Sequence, residues 1–328
     1  MNQPSRLEIL PDEIFLDLFS YIHPSELYHV WLGLNRRLSA IINSIRISFD
    51  LTENTIEYIN ALNYFSWQII FMHLRVNSDL LDLRQYPNLR SLIVDKKLTR
   101  TQLEAIQPKF LPFLTRLTVC EQLKDDDILN DMIFNRVIST KQHCSWLKVY
   151  HLPSVPWYFT INTSSLSNIE TMIFDNVKPC EINLILLFQP NLRRLRITIV
   201  HWMSQNPVIS NDSLLNKNYQ HKHLIDFNAT LNTRNKLDSL YPLLSHLPCL
   251  RYLNVACDSL GMSDFQRLAS ELNAKLPCLQ RFNCSFKQTY INDMEKVHCL
   301  SPLFHRMKCK KIEWNGGWHY YCVTTRNI

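Results

Sequence analysis

Five stretches of this chain repeat one short phrase, and that phrase limits what the chain can become. Tyr86-Pro87-Asn88-Leu89-Arg90-Ser91-Leu92-Ile93-Val94 is followed by Leu111-Pro112-Phe113-Leu114-Thr115-Arg116-Leu117-Thr118-Val119. Further on come Gln189-Pro190-Asn191-Leu192-Arg193-Arg194-Leu195-Arg196-Ile197, Leu247-Pro248-Cys249-Leu250-Arg251-Tyr252-Leu253-Asn254-Val255 and Leu276-Pro277-Cys278-Leu279-Gln280-Arg281-Phe282-Asn283-Cys284. Each reads Pro-x-Leu-x-x-Leu-x-apolar, a turn leading into a short strand whose alternate residues point inward. Weaker copies centre on Leu147, Ile169 and Cys309, with fainter traces at Leu74 and Leu224. A phrase recurring in this way predicts stacked units, each too small to bury its apolar face alone.

Counted from the leading apolar residue, positions 89, 114, 147, 169, 192, 224, 250, 279 and 309 lie 22 to 33 residues apart. That leaves room for a strand and a return segment in each unit. Ser263-Asp264-Phe265-Gln266-Arg267-Leu268-Ala269-Ser270-Glu271-Leu272 has the apolar spacing of a helical return. Strands joined by such returns run parallel, so the expected fold class is α/β with short parallel strands. A conventional α/β domain with look-alike strands is the competing reading, and the recurring proline argues against it. The polar stretch from about 204 to 222 reads as a loop interrupting the array.

Composition removes several classes of function. With 46% hydrophobic and 20% charged residues over 328 positions, the chain is not of the disordered type. No apolar run approaches the ~20 residues of a membrane span, and Met1-Asn2-Gln3-Pro4-Ser5-Arg6 lacks the profile of a signal peptide. A soluble chain of the cytoplasm and/or nucleus is expected. The ten cysteines contain no C-x-x-C pair, and Cys249 and Cys278 occupy equivalent places in two units. They read as free, buried small hydrophobes. The sequons at Asn162, Asn211, Asn228 and Asn283 would then be silent. Only four glycines occur, which excludes the glycine-rich phosphate loops. His221 and His223 lack further ligands, so no metal and no cofactor are expected. No nucleophile elbow, H-E-x-x-H or paired-carboxylate motif points to catalysis, and His143-Cys144 and His298-Cys299 are adjacent pairs that a strand would splay apart.

The first forty residues follow a different pattern. Pro11 suits a first helical position, with Asp12 and Glu13 complementing the helix start. Ile14, Phe15, Leu18, Phe19 and Ile22 then form an apolar stripe. Pro24 ends that helix and opens the next, Ser25 to Leu32, before Gly33, and Asn35 is a plausible N-cap for a third carrying Leu38, Ile41 and Ile42. So small a helical cluster cannot enclose its own core. Part of its apolar surface must lie against the following domain or a partner protein. The expected division is a helical head over residues 6–45 and a repetitive body over 46–328.

Leu10-Pro11-x-Glu13-Ile14, Leu18-Phe19-Ser20-Tyr21-Ile22, Glu26-Leu27 and Asn35-Arg36-Arg37-Leu38 together resemble the F-box in order and spacing. The body resembles the irregular leucine-rich repeats often joined to an F-box, whose period is about 20–29 residues. The resemblance implies a small all-helical F-box followed by a leucine-rich-repeat α/β solenoid. It implies docking to a Skp-type adaptor, and through it to a cullin, by Leu10, Pro11, Ile14, Leu18, Phe19 and Ile22, with Leu27 and Leu38 supporting the cluster. Many F-boxes carry tryptophan where this chain has Leu38, and a cysteine-lysine pair where it has Leu34-Asn35. Such a protein is a non-catalytic substrate receptor. The alternative is an interaction scaffold whose F-box-like head only caps the solenoid.

In such an array, residues alternating with the buried leucines line one face. One column would hold Ser91, Arg116, Val149, Thr171, Arg194, Tyr252, Arg281 and Lys311; the next would hold Ile93, Thr118, His151, Ile173, Arg196, Asn254, Asn283 and Glu313. Four of the eight in the first column are Arg or Lys. Arg116, Arg194, Arg196, Tyr252, Arg281 and Lys311 are therefore the candidate cargo contacts, suited to an acidic or phosphorylated protein segment. The position just before the first column is equally basic, which fits ordinary solvated charge. Nucleic acid is not expected, because Tyr252 is the only aromatic in the columns and the net charge of +6 is modest.

Overall fold

The computed structural model describes residues 9–76, 81–96, 98–120, 147–154, 168–199, 219–231, 237–289, 294–302, 304–305, 308–314 and 317–325. Wherever the repeated phrase occurs it builds the same turn. Leu89 N–H donates to Tyr86 O at 3.1 Å, Leu114 to Leu111 at 3.3 Å, Leu192 to Gln189 at 3.1 Å, Leu250 to Leu247 at 3.1 Å and Leu279 to Leu276 at 3.2 Å. The proline sits second in each four-residue turn, where its fixed φ is already correct. The leucine closing the turn is buried in every case, and a strand begins two residues later.

The described residues form two compact units, one up to residue 120 with 147–148, the other from 149 onward. In the first, helices α1 (Asp12–Tyr21), α2 (Pro24–Glu26) and α3 (Arg36–Ser44) precede β1 (Ile47–Leu51), α4 (Ile56–Tyr64), β2 (Ile69–Leu74), β3 (Ser91–Val94), α5 (Arg100–Ala105) and β4 (Arg116–Val119). Strands β1 to β4 lie side by side in chain order, all parallel. The second unit holds β5 (Val149–Ser154), β6 (Thr171–Val177), α6 (Pro179–Phe188), β7 (Arg194–Ile199), β8 (Asp226–Leu231) and α7 (Tyr241–Leu244). It continues with β9 (Tyr252–Leu260), α8 (Met262–Lys275), β10 (Arg281–Thr289), α9 (Met294–His298), β11 (Lys308–Trp314) and β12 (Gly317–Thr325). Strands β5 to β10 are again parallel neighbours in chain order. The chain is therefore α/β, as the periodicity predicts.

The head shares a compact unit with β1 to β4. Its helices rest on α4 and β1: His23 meets the rings of Phe49 and Tyr58 (5.7 and 5.3 Å), and Gln68 Nε2 donates to Ile42 O at 2.7 Å. Leu74 does not lead a unit. Phe71 pairs with Ser91, so Ile69 holds the place of Leu89, and Leu74 ends its strand opposite Val94. No proline marks that unit. Cys309 opens no further parallel unit: β12 pairs antiparallel with β10, and β11 pairs antiparallel with β12. Cys284 is buried as expected, but Cys249 is only half-buried and Cys278 exposed, since both occupy the third position of a turn. The stretch 204–218, Asn162, Asn211 and His143-Cys144 lie outside the described residues.

The unit led by Leu224 has no proline, and a histidine does the turn's work. Leu224 N–H donates to Nδ1 of His221 at 3.1 Å, the position from which a backbone carbonyl accepts in the other units. His221 Nε2 is 2.8 Å from Gln189 O, the carbonyl that closes the preceding turn. With Nδ1 accepting, the ring is the neutral Nε2–H tautomer, and burial holds its pKa below the usual histidine value. A depressed histidine pKa contributes stability that is lost as pH falls below the unfolded value of about 6.5. His221→Ala would strand the buried Leu224 N–H and is expected to cost about 1–3 kcal/mol in urea unfolding at pH 7.5. The cost should shrink toward pH 5, where the wild type has itself lost His221's contribution.

Glu181 titrates in the opposite sense. At the third residue of α6 its Oε2 accepts from Lys178 N–H at 2.8 Å, a capping arrangement. Burial pushes its carboxyl up to about 7, against the lowering effect of that hydrogen bond and of the Lys178 charge. A carboxyl with a raised folded pKa contributes stability below its unfolded pKa and loses it as pH rises through about 7. Glu181→Gln keeps the acceptor without the charge. It is expected to raise stability by about 2 kcal/mol at pH 8 and to change little at pH 5, as read from urea midpoints.

Candidate functional site

The head exposes apolar surface that its own packing does not require. Pro11 is the N-cap of α1 rather than its first residue, with ψ of 155°, and the helix starts at Asp12. Asn35 caps α3, accepting from Leu38 N–H at 2.7 Å. Arg37 of α3 reaches back, its Nε 2.7 Å from Asp12 Oδ1 and its guanidinium 2.5 Å from Leu10 O. This tie pins the segment leading into α1 and places the guanidinium 5.7 Å above the Phe15 ring. Gly33 turns the chain between α2 and α3 with φ of +85°, a conformation suited to glycine.

The apolar stripe of α1 divides lengthwise. Phe15 and Phe19 turn inward, 1% and 2% exposed, with ring centroids 5.7 Å apart and Phe19 edge-on to Trp31. Ile14 and Leu18, by contrast, are 48% and 39% exposed. Tyr21 continues their line one turn further, and Leu10 and Ile9 are exposed just ahead of the helix. Phe19, read as a contact residue, is therefore core, because at 100° per residue it shares the inward side with Phe15. Leu27 and Leu38 are buried. Ile22 is half-buried and Pro11 exposed. Ile9 and Tyr21, which the motif does not single out, extend the same exposed line, Tyr21 standing at i+7 from Ile14.

A second surface lies in the second unit, on the open side of β7 to β10. The register aligns Arg194 with Asp226, Asp226 with Tyr252 and Tyr252 with Arg281. The adjoining row runs Arg196, Asn228, Asn254, Asn283. Leu195, Phe227, Leu253 and Phe282 alternate with these residues and are buried. Arg194, Arg196, Tyr252 and Arg281 are exposed and the others half-buried. Arg281 Nε donates to Asn283 Oδ1 at 3.0 Å, and Asn283 Nδ2 donates in turn to Asn254 Oδ1.

Asp226 and Asn228 were absent from the predicted columns, yet they follow from Leu224 by the same offsets of two and four residues. Asp226 matters because it faces Arg194. Burial raises its carboxyl pKa while the Arg194 charge pulls it down, so Arg194 already has a carboxylate beside it. Arg116 lies in the first unit, opposite Ser91. Lys311 does not follow Arg281 in the row: it pairs with Tyr320, which pairs in turn with Phe286, and β12 intervenes.

Among the described residues no three His, Cys, Asp or Glu side chains are grouped to hold a metal ion. No described helix is long and apolar enough to cross a membrane. No protein-family model matches the chain, and no curated protein matches it at a significant level.

Proposed function

We propose that the chain is a substrate receptor of a cullin-based ubiquitin ligase, with an F-box head that binds a Skp-type adaptor and a leucine-rich-repeat body that holds protein cargo. The observation carrying this reading is the exposed line of Leu10, Ile14, Leu18 and Tyr21 on a head otherwise packed against β1 and α4. Exposed apolar residues grouped on one helix face mark a protein contact more often than they mark solvent-facing surface. Support for the body comes from parallel strands each led by a buried leucine or isoleucine. Asn176 adds to it, its Nδ2 donating to Pro153 O of the neighbouring strand at 3.2 Å. The chain supplies no bond-making chemistry in this reading. It raises the concentration of cargo beside the transferring enzyme, in the cytoplasm or nucleus, a proximity effect.

The capping-scaffold alternative draws on the same head, since Phe15, Phe19, Leu27, Leu38 and Ile42 are all buried. Gel filtration of the full chain mixed with a purified Skp-type adaptor separates the two. Co-elution at concentrations on the order of 10 μM is the expected result. Separate elution would leave the scaffold reading.

A further inference from the structure

On the open side of the second unit, guanidinium donors stand at both ends of a short row of amides. The Arg196 side chain has no hydrogen-bond or ion-pair partner among the described residues. Three strands away, Arg281 donates to Asn283 through its Nε, and its side chain is exposed. Between the two lie Asn228 and Asn254. Asn254 uses its Oδ1 to accept from Asn283, which leaves its own N–H groups unengaged. The Asn228 side chain makes no hydrogen bond among the described residues. Tyr252 stands beside the middle of the row, 40% exposed.

Strand spacing sets the scale. Three steps of about 4.8 Å separate β7 from β10, or about 14 Å in all. An extended peptide advances about 3.3 Å per residue, so about four residues cover that distance. Side chains four apart in an extended chain point to the same side. Asp226, flanking the row one strand in from Arg196, disfavours a negative charge near the centre.

Resting on the reading of this face as the cargo surface, we propose that it binds an extended protein segment bearing anionic side chains four residues apart. Arg196 holds one anion and Arg281 the other. The amides of Asn228 and Asn254 meet the segment's backbone, and an uncharged residue midway lies against Tyr252. The shared chemistry is a pair of oxyanions, supplied by Asp or Glu or by phosphorylated serine.

The test uses the full chain and fluorescein-labelled ten-residue peptides read by anisotropy. A peptide with glutamates four apart is expected to bind about tenfold more tightly than one with glutamates two apart or with glutamines in their place. Arg196→Glu combined with Arg281→Glu should cost about tenfold or more, and Asn254→Ala should weaken binding several-fold with an unchanged melting temperature. Phosphoserines four apart binding more tightly than glutamates assign a modified cargo; equal or weaker binding assigns an acidic one. Equal binding of all the peptides, or binding unaffected by the double reversal, overturns the proposal. So does an oligouridine that competes at the same residues with similar affinity. Adaptor co-elution of the double-reversal variant is measured alongside. Retained co-elution with lost peptide binding separates this face from the head, and absent co-elution with intact peptide binding leaves this inference standing while removing the ligase reading.

Discussion

Aspartate at both Ile14 and Leu18 is expected to abolish capture of a Skp-type adaptor while leaving the chain folded. Both side chains are exposed on α1, so free-chain stability should change by no more than about 0.5 kcal/mol per site. In a complex they would lie in a desolvated contact, where an unpaired carboxylate costs several kcal/mol. The expected loss is about 100-fold or more in affinity, measured by surface plasmon resonance with the adaptor immobilised. Unchanged capture would remove α1 from the contact and with it the observation on which the proposed function rests. Phe15→Ala serves as the contrast: it lies inside the head and should cost stability first.

The largest stability effect is expected at Phe265. This residue of α8 is fully buried, edge-on to Phe286 and Phe304, with ring centroids 6.0 Å away in each case. Phe304 in turn lies 6.0 Å from Phe282 of β10. One aromatic cluster thus joins a return helix to the inward face of a strand. Phe265→Ala would remove the ring and leave a cavity that the surrounding rings fill only in part, at a cost of about 3–5 kcal/mol. The urea midpoint should fall accordingly. Because a unit in an array depends on its neighbours, the loss should spread to the protection of β9 and β10 amides in hydrogen exchange. A cost below about 1 kcal/mol would be incompatible with this packing.

What could be read from the sequence was what is local. A proline followed two residues later by leucine encodes a turn and the start of a strand within nine residues, and β3, β4, β7, β9 and β10 each begin inside such a stretch. The unit led by Leu224 was faint because the imidazole of His221 takes over from the proline turn, and no pattern of residue types advertises such an exchange. β1 and β2 carry no proline phrase, so their place in the ladder becomes visible only when Phe71 is seen opposite Ser91. The reversal at β12 depends on pairing between distant segments, which alternation of apolar residues cannot specify. In the head, the stripe on α1 was legible, but its division was not. Five apolar residues at neighbouring helical positions do not say which of them α3 and Trp31 will cover, and that choice separates Phe19 from Leu18. On the open face, the basic bias was visible, whereas the carboxylate beside Arg194 required the place of Asp226.

The reversal of direction at β12 bears on how the protein behaves when crowded. A parallel ladder presents the same slanted donors and acceptors at its last strand as at every earlier one, so a matching strand from another molecule finds a ready template. Here the strand after β10 runs the other way, and beyond it β11 carries exposed Lys308 and Lys310. A second molecule approaching that rim meets like charges and an antiparallel hydrogen-bond pattern instead of a continuation of its own. Growth into filaments by strand addition is thereby discouraged at that rim.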